Sequence, residues 1–274
     1  MAAPREREQR SDFGARVLAA IPAIAFAIFI VVQGGWVFAV GILALGILAL
    51  GELSVMFARV RPPMLAGMLA VAGMVIAAQQ YGSQKQVVLV LVASFPVTFF
   101  LALLRPRREN VSWAIAVTEF SVLWVGLPLV YAVLLRKLPH GDGLLIDVLV
   151  GTFLGDTAAY FGGRGWGRTP LAPRISPNKT LEGAVVGFIG GTLAFWFAGL
   201  YQDWFSGGDA IVMGAFVALA APVGDLFESL VKRDLGVKDT GRFFGAHGGV
   251  LDRLDAVLFT IVAGYFAAVG LGYG

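Results

Sequence analysis

Residues 36–58 read WVFAVGILALGILALGELSVMFA, and only Glu52 interrupts this run with a charge. At 1.5 Å per residue such a helix matches a hydrocarbon layer of about 30 Å. It has no polar face to turn toward water, so it belongs in lipid. Eight more apolar stretches follow the same reading, at about 17–32, 63–80, 86–104, 111–135, 143–163, 181–201, 209–229 and 250–272. The sixth, eighth and ninth carry carboxylates. The predicted fold class is therefore all-α: a polytopic integral membrane protein of about nine transmembrane helices. Composition agrees, because 58% of the 274 residues are hydrophobic and 14% are charged, where soluble domains carry ~25% charged residues. Nine spans leave too few residues for a separate soluble domain, so any chemistry is expected at helix ends. Cysteine is absent, which excludes a disulfide scaffold and fits any redox compartment. The first stretch follows a basic start, but Gln33-Gly34-Gly35 offers no small-x-small cleavage site, and the stretch is read as a span.

The placement of cations tests the span count. All but three of the 21 Lys and Arg fall on one side of the alternating spans; the exceptions are Lys85, Arg136 and Lys137. A positive-inside bias of this strength predicts a cytoplasmic N-terminus and an external C-terminus. Two connections on the basic side are long, 164–180 and 230–249, and both are rich in Gly, Lys and Arg. Residues 1–140 read as a scaffold of five helices. Residues 141–274 carry the last four helices and both basic loops, and with them the expected site. Gly155-Asp156 precedes the first loop and Gly224-Asp225 the second, a faint echo compatible with internal duplication.

Acids inside apolar helices are costly and are functional candidates: Glu52, Glu119, Asp147, Asp156, Asp225, Glu228, Asp252 and Asp255. For Glu52, Glu119 and Asp147 the favoured reading is an interhelical hydrogen bond. Asp225, Glu228 and Ser229 share one helix face, as do Asp252 and Asp255. Two such faces can hold Mg²⁺, which takes one or two carboxylates and fills its shell with phosphates and water. The lack of thiols and the presence of only two histidines, His140 and His247, argue against zinc. Between the two acidic sets lie Lys232, Arg233, Lys238 and Arg242, a concentrated positive field. Gly245, Gly248 and Gly249 are expected to let backbone amides approach a phosphate at the start of the last helix. In the first loop, Ser176 or Asn178 is expected to cap the seventh helix, with Glu182 in its first turn, and Lys179 reads as a phosphate contact. Neither loop is a Walker A sequence. Cations for phosphates and carboxylates for Mg²⁺, both at a membrane surface, point to a nucleotide or pyrophosphate reacting with a lipid.

The stretch from Ser229 to Asp255 resembles the signature of the phosphatidate cytidylyltransferases (CDP-diacylglycerol synthases). Ser229, Lys232, Arg233, Lys238, Asp239, His247, Gly248, Gly249, Asp252, Arg253 and Asp255 meet every fixed position of that pattern. Gly155-Asp156-Thr157 with Tyr160, the segment Ser176–Gly183, and Gly224-Asp225-Leu226-Phe227-Glu228-Ser229 are also similar to that family. The likeness is close over about residues 150–274 and is mainly hydropathy before that. One departure is Gly245-Ala246, where many members carry Pro-Gly.

The resemblance implies CTP plus phosphatidic acid giving CDP-diacylglycerol and pyrophosphate, in phospholipid biosynthesis, with Mg²⁺. It suggests Asp225 and Asp252 for the metal, with Asp255 and Asp239 one shell further out. Lys232, Arg233 and Lys238 are expected to hold CTP or the leaving pyrophosphate. Ser176, Asn178 and Lys179 are expected to contact phosphate from the other loop, beside Arg242, His247, Gly248 and Gly249. The sequence leaves open whether a second, monovalent cation joins Mg²⁺. Family likeness alone suggests a homodimer, in the inner (cell) membrane of a bacterium with the site on the cytoplasmic face. The lipid bilayer is the expected partner and no nucleic acid is. Two rivals stay open on the residues: a prenyltransferase using Asp252-x-x-Asp255, and a secondary transporter. The first wants a second Asp-rich motif, and the second wants its acids near the bilayer midplane. A CDP-alcohol phosphotransferase is disfavoured, because its Asp-Gly-x-x-Ala-Arg opening is absent.

Overall fold

A computed structural model describes residues 25–105, 109–241, 243 and 248–274. Among these, eight helices are long and apolar enough to cross a membrane: α1 (Gly35–Met56), α2 (Met64–Tyr81), α3 (Gln84–Leu103), α4 (Val111–Lys137), α5 (Gly141–Trp166), α6 (Leu181–Gly199), α7 (Gly207–Asp234) and α8 (Leu251–Gly270). They coincide with the second to ninth expected spans. The expected first span at 17–32 lies mostly outside the described residues, and its end is helical over 25–33.

The helices carry apolar side chains on both sides. Leu50, Leu53, Met74, Leu129, Leu144, Met213 and Leu251 are fully buried, while Val92, Phe95, Phe100, Trp113 and Phe197 are exposed. An apolar exterior is what lipid tails accept. In lipid, close helix approach depends on small residues that bring backbones together. The α5–α6 pair is built this way. Gly151 and Gly155 face Gly187 and Gly191, and a Cβ at Gly187 would stand 2.7 Å from the Ala159 Cβ. The glycine-rich stretch 183–191 thus packs within the chain.

Local signals set the ends. Gly82, at φ 61°, closes α2 in the left-handed conformation, and Ser83 opens α3 by accepting from the Lys85 amide. Inside α4, a π-turn at Val122–Gly126 precedes Pro128 and brings Trp124 against Phe120 and Phe227. Two of the three cations on the sparse side have structural duties. Arg136 Nε donates to the Val31 carbonyl at 2.9 Å, and Lys137 Nζ to the Gln79 carbonyl at 2.5 Å. Each caps the C-terminal end of a neighbouring helix, where a positive charge is favoured.

The first long loop is shorter and more ordered than its composition suggests. Helix α5 continues to Trp166, and an antiparallel hairpin follows, β1 (Pro170–Ala172) with β2 (Ser176–Thr180), in the register Pro170↔Thr180 and Ala172↔Ser176. This corrects the expected cap of α6. Ser176 and Asn178 lie in a strand, so the cap falls to Thr180, whose hydroxyl accepts from the Gly183 amide at 3.2 Å. Glu182 does occupy the first turn, and it reaches back to accept from the Arg168 and Thr169 amides and the Thr169 hydroxyl.

The glycine seam predicts a stability difference. Gly187→Val overfills it and lowers the thermal midpoint in detergent, at a cost of about 1–3 kcal/mol or more. Gly165→Ala, which meets nothing within 4 Å, leaves the midpoint near wild type.

Candidate active site

The site is assembled from α5, α7 and the start of α8, beside the hairpin, Thr240 and residues 248–250. Asp252 is its hub. Its Oδ1 accepts from Lys232 Nζ at 2.9 Å and from the Thr240 amide at 3.2 Å. Its Oδ2 accepts from the Thr240 amide at 3.0 Å and the Gly249 amide at 2.7 Å. Gly248 sits at φ +84°, and a Cβ there would lie 2.5 Å from Asp252 Oδ2. Glycine is therefore required twice over, by backbone conformation and by space.

Lys232 also pairs with Glu228, one turn before it on α7, at 2.8 Å. The Glu228 side chain is 1% exposed and that of Asp252 is 11% exposed. One ammonium thus contacts two acids in a poorly solvated place. A second lysine comes from the hairpin: Lys179 on β2 forms an ion pair with Asp225. Asp225 lies within electrostatic range of Asp156 and Asp255, so acids from α5, α7 and α8 face one another. Asp255 Oδ1 accepts from the Ala256 amide at 2.8 Å. Arg233 Nε donates to the Ile175 carbonyl at 3.2 Å and ties the hairpin turn to the end of α7.

The structure thus brings together Asp225, Lys179, Lys232, Asp252 and Asp255 from the hairpin and two helices. Ser176 and Asn178 lie beside Lys179 on β2, with Asn178 exposed. Lys238 and Asp239 are exposed on the segment leading to Thr240. Arg242 and His247 lie outside the described residues. The expected phosphate nest differs from its sequence reading. The Gly249 amide is taken by Asp252, and the Val250 and Leu251 amides are taken by Glu52. Two of the chain's own carboxylates therefore fill the helix N-terminus.

Glu52 is the residue that sequence reasoning placed too low. Its hydrogen bond does join separate elements, as expected, but its partners belong to the site. Its signal was visible as an acid near one end of an apolar span. Glu119, which accepts from Ser94 at 3.1 Å, keeps the interhelical role read for it, whereas Asp147 accepts from Gln202 at 2.6 Å and so joins α5 to the connection between α6 and α7.

Among the described residues no three His, Asp or Glu close around one point. Mg²⁺ does not need three, since substrate phosphates and water complete its shell. Asp225 and Asp252 each already receive a lysine ammonium. All-oxygen donors that accept a cation at a membrane face fit Mg²⁺.

The pairing predicts an asymmetry. Lys232→Met strands Glu228 and Asp252, and removing one member of a buried ion pair costs about 3–5 kcal/mol. The thermal midpoint in detergent should fall clearly. Arg233→Met, on an exposed residue, should change it far less.

Comparison with other proteins points the same way. The cytidylyltransferase family matches this sequence over residues 14–269. A Helicobacter pylori protein named phosphatidate cytidylyltransferase is 45% identical over 121 residues, 43% of this chain and 44% of that protein. Proteins of the same name from Aquifex aeolicus and Mycobacterium leprae are 35% identical over 143 residues and 37% identical over 168. These two alignments cover 52% and 60% of this chain and 53% of each relative. The matched part spans about half the length of these relatives.

Proposed function

The chain belongs to the cytidylyltransferase family, and from that premise we propose that it makes CDP-diacylglycerol and pyrophosphate from CTP and phosphatidic acid. The observation that carries this reading is the meeting of Lys179, Lys232, Asp225 and Asp252 at one membrane face. A lipid phosphate and a nucleotide triphosphate need such a place: cations for two anions, and carboxylates for the metal that accompanies the triphosphate.

The chemistry asks little of a general base. A phosphate monoester has its second pKa near 6, so the lipid phosphate is largely dianionic at neutral pH. One of its oxygens bonds to the α-phosphorus of CTP. The bond from that phosphorus to the bridging oxygen of the β-phosphate breaks, and the electron pair leaves with pyrophosphate. The barrier comes largely from bringing two anions together, which positioned cations reduce. Lys232, Arg233 and Lys238 hold the triphosphate or the leaving pyrophosphate, with Arg242 and His247 in the same signature. Lys179, beside Ser176 and Asn178, is placed to release Asp225 and take a phosphate. Asp225 and Asp252 would hold Mg²⁺, with Asp255 and Asp239 as supporting acids. When bound, Mg²⁺ supplies charge neutralisation at the phosphates.

Strong charge asymmetry supports a cytoplasmic placement of this face, in the inner membrane of a bacterium. Asp252 lies in the first turn of α8 and Asp225 in the last three turns of α7, off the centre of each helix, which favours this reading over an ion-coupled transporter with a midplane site.

The test is pyrophosphate release from CTP by the purified protein in detergent, with and without phosphatidate, and with ATP, GTP and UTP as controls. The expected result is release that requires both CTP and phosphatidate. Asp252→Asn should lower that turnover by about 100-fold or more. Release that ignores phosphatidate, or normal Mg²⁺-dependent turnover by Asp252→Asn, would contradict the reading or the metal assignment respectively.

A further inference from the structure

Glu52 belongs to α1, a helix of the scaffold half, yet its carboxylate ends inside the catalytic segment. Oε1 accepts from the Val250 amide at 2.7 Å, and Oε2 accepts from the Leu251 amide at 3.0 Å and the Thr240 hydroxyl at 3.1 Å. All three donors lie between residues 240 and 251. Helix α8 has no side-chain cap of its own at Val250. Its first amides would otherwise be orphaned in a buried place, because Val250 and Leu251 are 2% and 0% exposed. Glu52 caps this helix from across the fold.

The surroundings are shaped to that carboxylate. A Cβ at Gly241 would stand 2.6 Å from Glu52 Oε1, and one at Gly249 would press on both oxygens. Thr240 joins Glu52 to the metal-site acid. Its hydroxyl donates to Glu52 while its amide donates to both oxygens of Asp252. The three consecutive amides of Gly249, Val250 and Leu251 are likewise shared, one to Asp252 and two to Glu52. The two carboxylates thus divide between them the donors of Thr240 and of residues 249–251.

We propose that Glu52 is a positioning residue for the transfer reaction, fixing Thr240 and the start of α8 so that Asp252 and Lys232 are held in register with the substrates. The inference rests on the nucleotidyl-transfer reading. It assigns to an apparently passive half of the chain a direct hold on the site. A carboxylate suits this duty better than an amide. All three donors point at it, and a glutamine would turn an NH₂ group toward a backbone N–H.

Glu52→Gln tests this in detergent, with CTP and phosphatidate. Losing a partner one step removed from a metal site typically costs about 10–100-fold in activity. The expected result is a fall of that size in kcat, a KM for CTP near wild type, and a drop in the thermal midpoint too small to account for the loss of kcat at the assay temperature. Hydrogen exchange should quicken over residues 240–251 and stay unchanged over 35–56. Thr240→Val removes one bond, leaves Glu52 and both helix amides in place, and should give a smaller fall in kcat. The double variant should be no worse than Glu52→Gln alone, because the residues act as one unit. Thr240→Val also carries the test if Glu52→Gln fails to fold.

Wild-type kcat in Glu52→Gln, or a loss of activity that tracks the thermal midpoint with no faster exchange over 240–251, overturns the proposal. If the wild-type protein makes no product from CTP and phosphatidate, the functional reading fails instead. The exchange result then still decides whether Glu52 anchors the segment.

Discussion

A carboxylate taken out of water needs partners, and the site depends on how that need is met at Asp252. Lys232 and the amides of Thr240 and Gly249 all donate to it. Leaving a buried charge unpaired costs several kcal/mol, so these partners fix where the side chain can be. They also fix the path of the backbone on either side. Lys232 comes from α7, Thr240 from the connection and Gly249 from the start of α8. One acid therefore sets the relation between two helices and the segment joining them. The glycines follow from the same constraint, since the carboxylates leave no room for a Cβ at Gly241, Gly248 or Gly249.

Around this hub the fold supplies rigidity from two directions. The glycine seam between α5 and α6 brings the hairpin to the ends of α7 and α8, where Lys179 meets Asp225 and Arg233 meets the hairpin turn. From the other side, α1 sends Glu52 to the first amides of α8. Both lysines rest on acids. These contacts hold the side chains in order. The site is thus arranged before substrate, which lowers the reorganisation required at the moment of transfer.

Much of the fold was legible in the sequence because lipid imposes a simple rule: about 20 apolar residues per span, with cations kept to one side. The span 36–58 and its successors fall where hydropathy puts them. The acids and lysines of the Ser229–Asp255 stretch were legible too, because their spacing is local. Longer-range contacts were not. Glu52 bonds to residues 198 and 199 positions away, and nothing near it in sequence names them. The hairpin was hidden for a different reason. Its strands are short, and Ser, Asn and Thr near a helix start suit a cap as well as a strand. Only the pairing of Ala172 with Ser176 moves the cap to Thr180. The glycines before α8 suggested a phosphate nest, and the structure gives their amides to the chain's own acids.

In the proposed reaction a lipid phosphate and CTP meet at the face carrying the basic loops. The most direct measurement uses sealed vesicles containing the protein in one known orientation and phosphatidate in both leaflets. CTP labelled in its α-phosphate is supplied to one side at a time. The account predicts labelled CDP-diacylglycerol when CTP reaches the face bearing Lys179 and Lys232, and none when it reaches the other. Labelled lipid formed from the opposite side, or from neither, would contradict it.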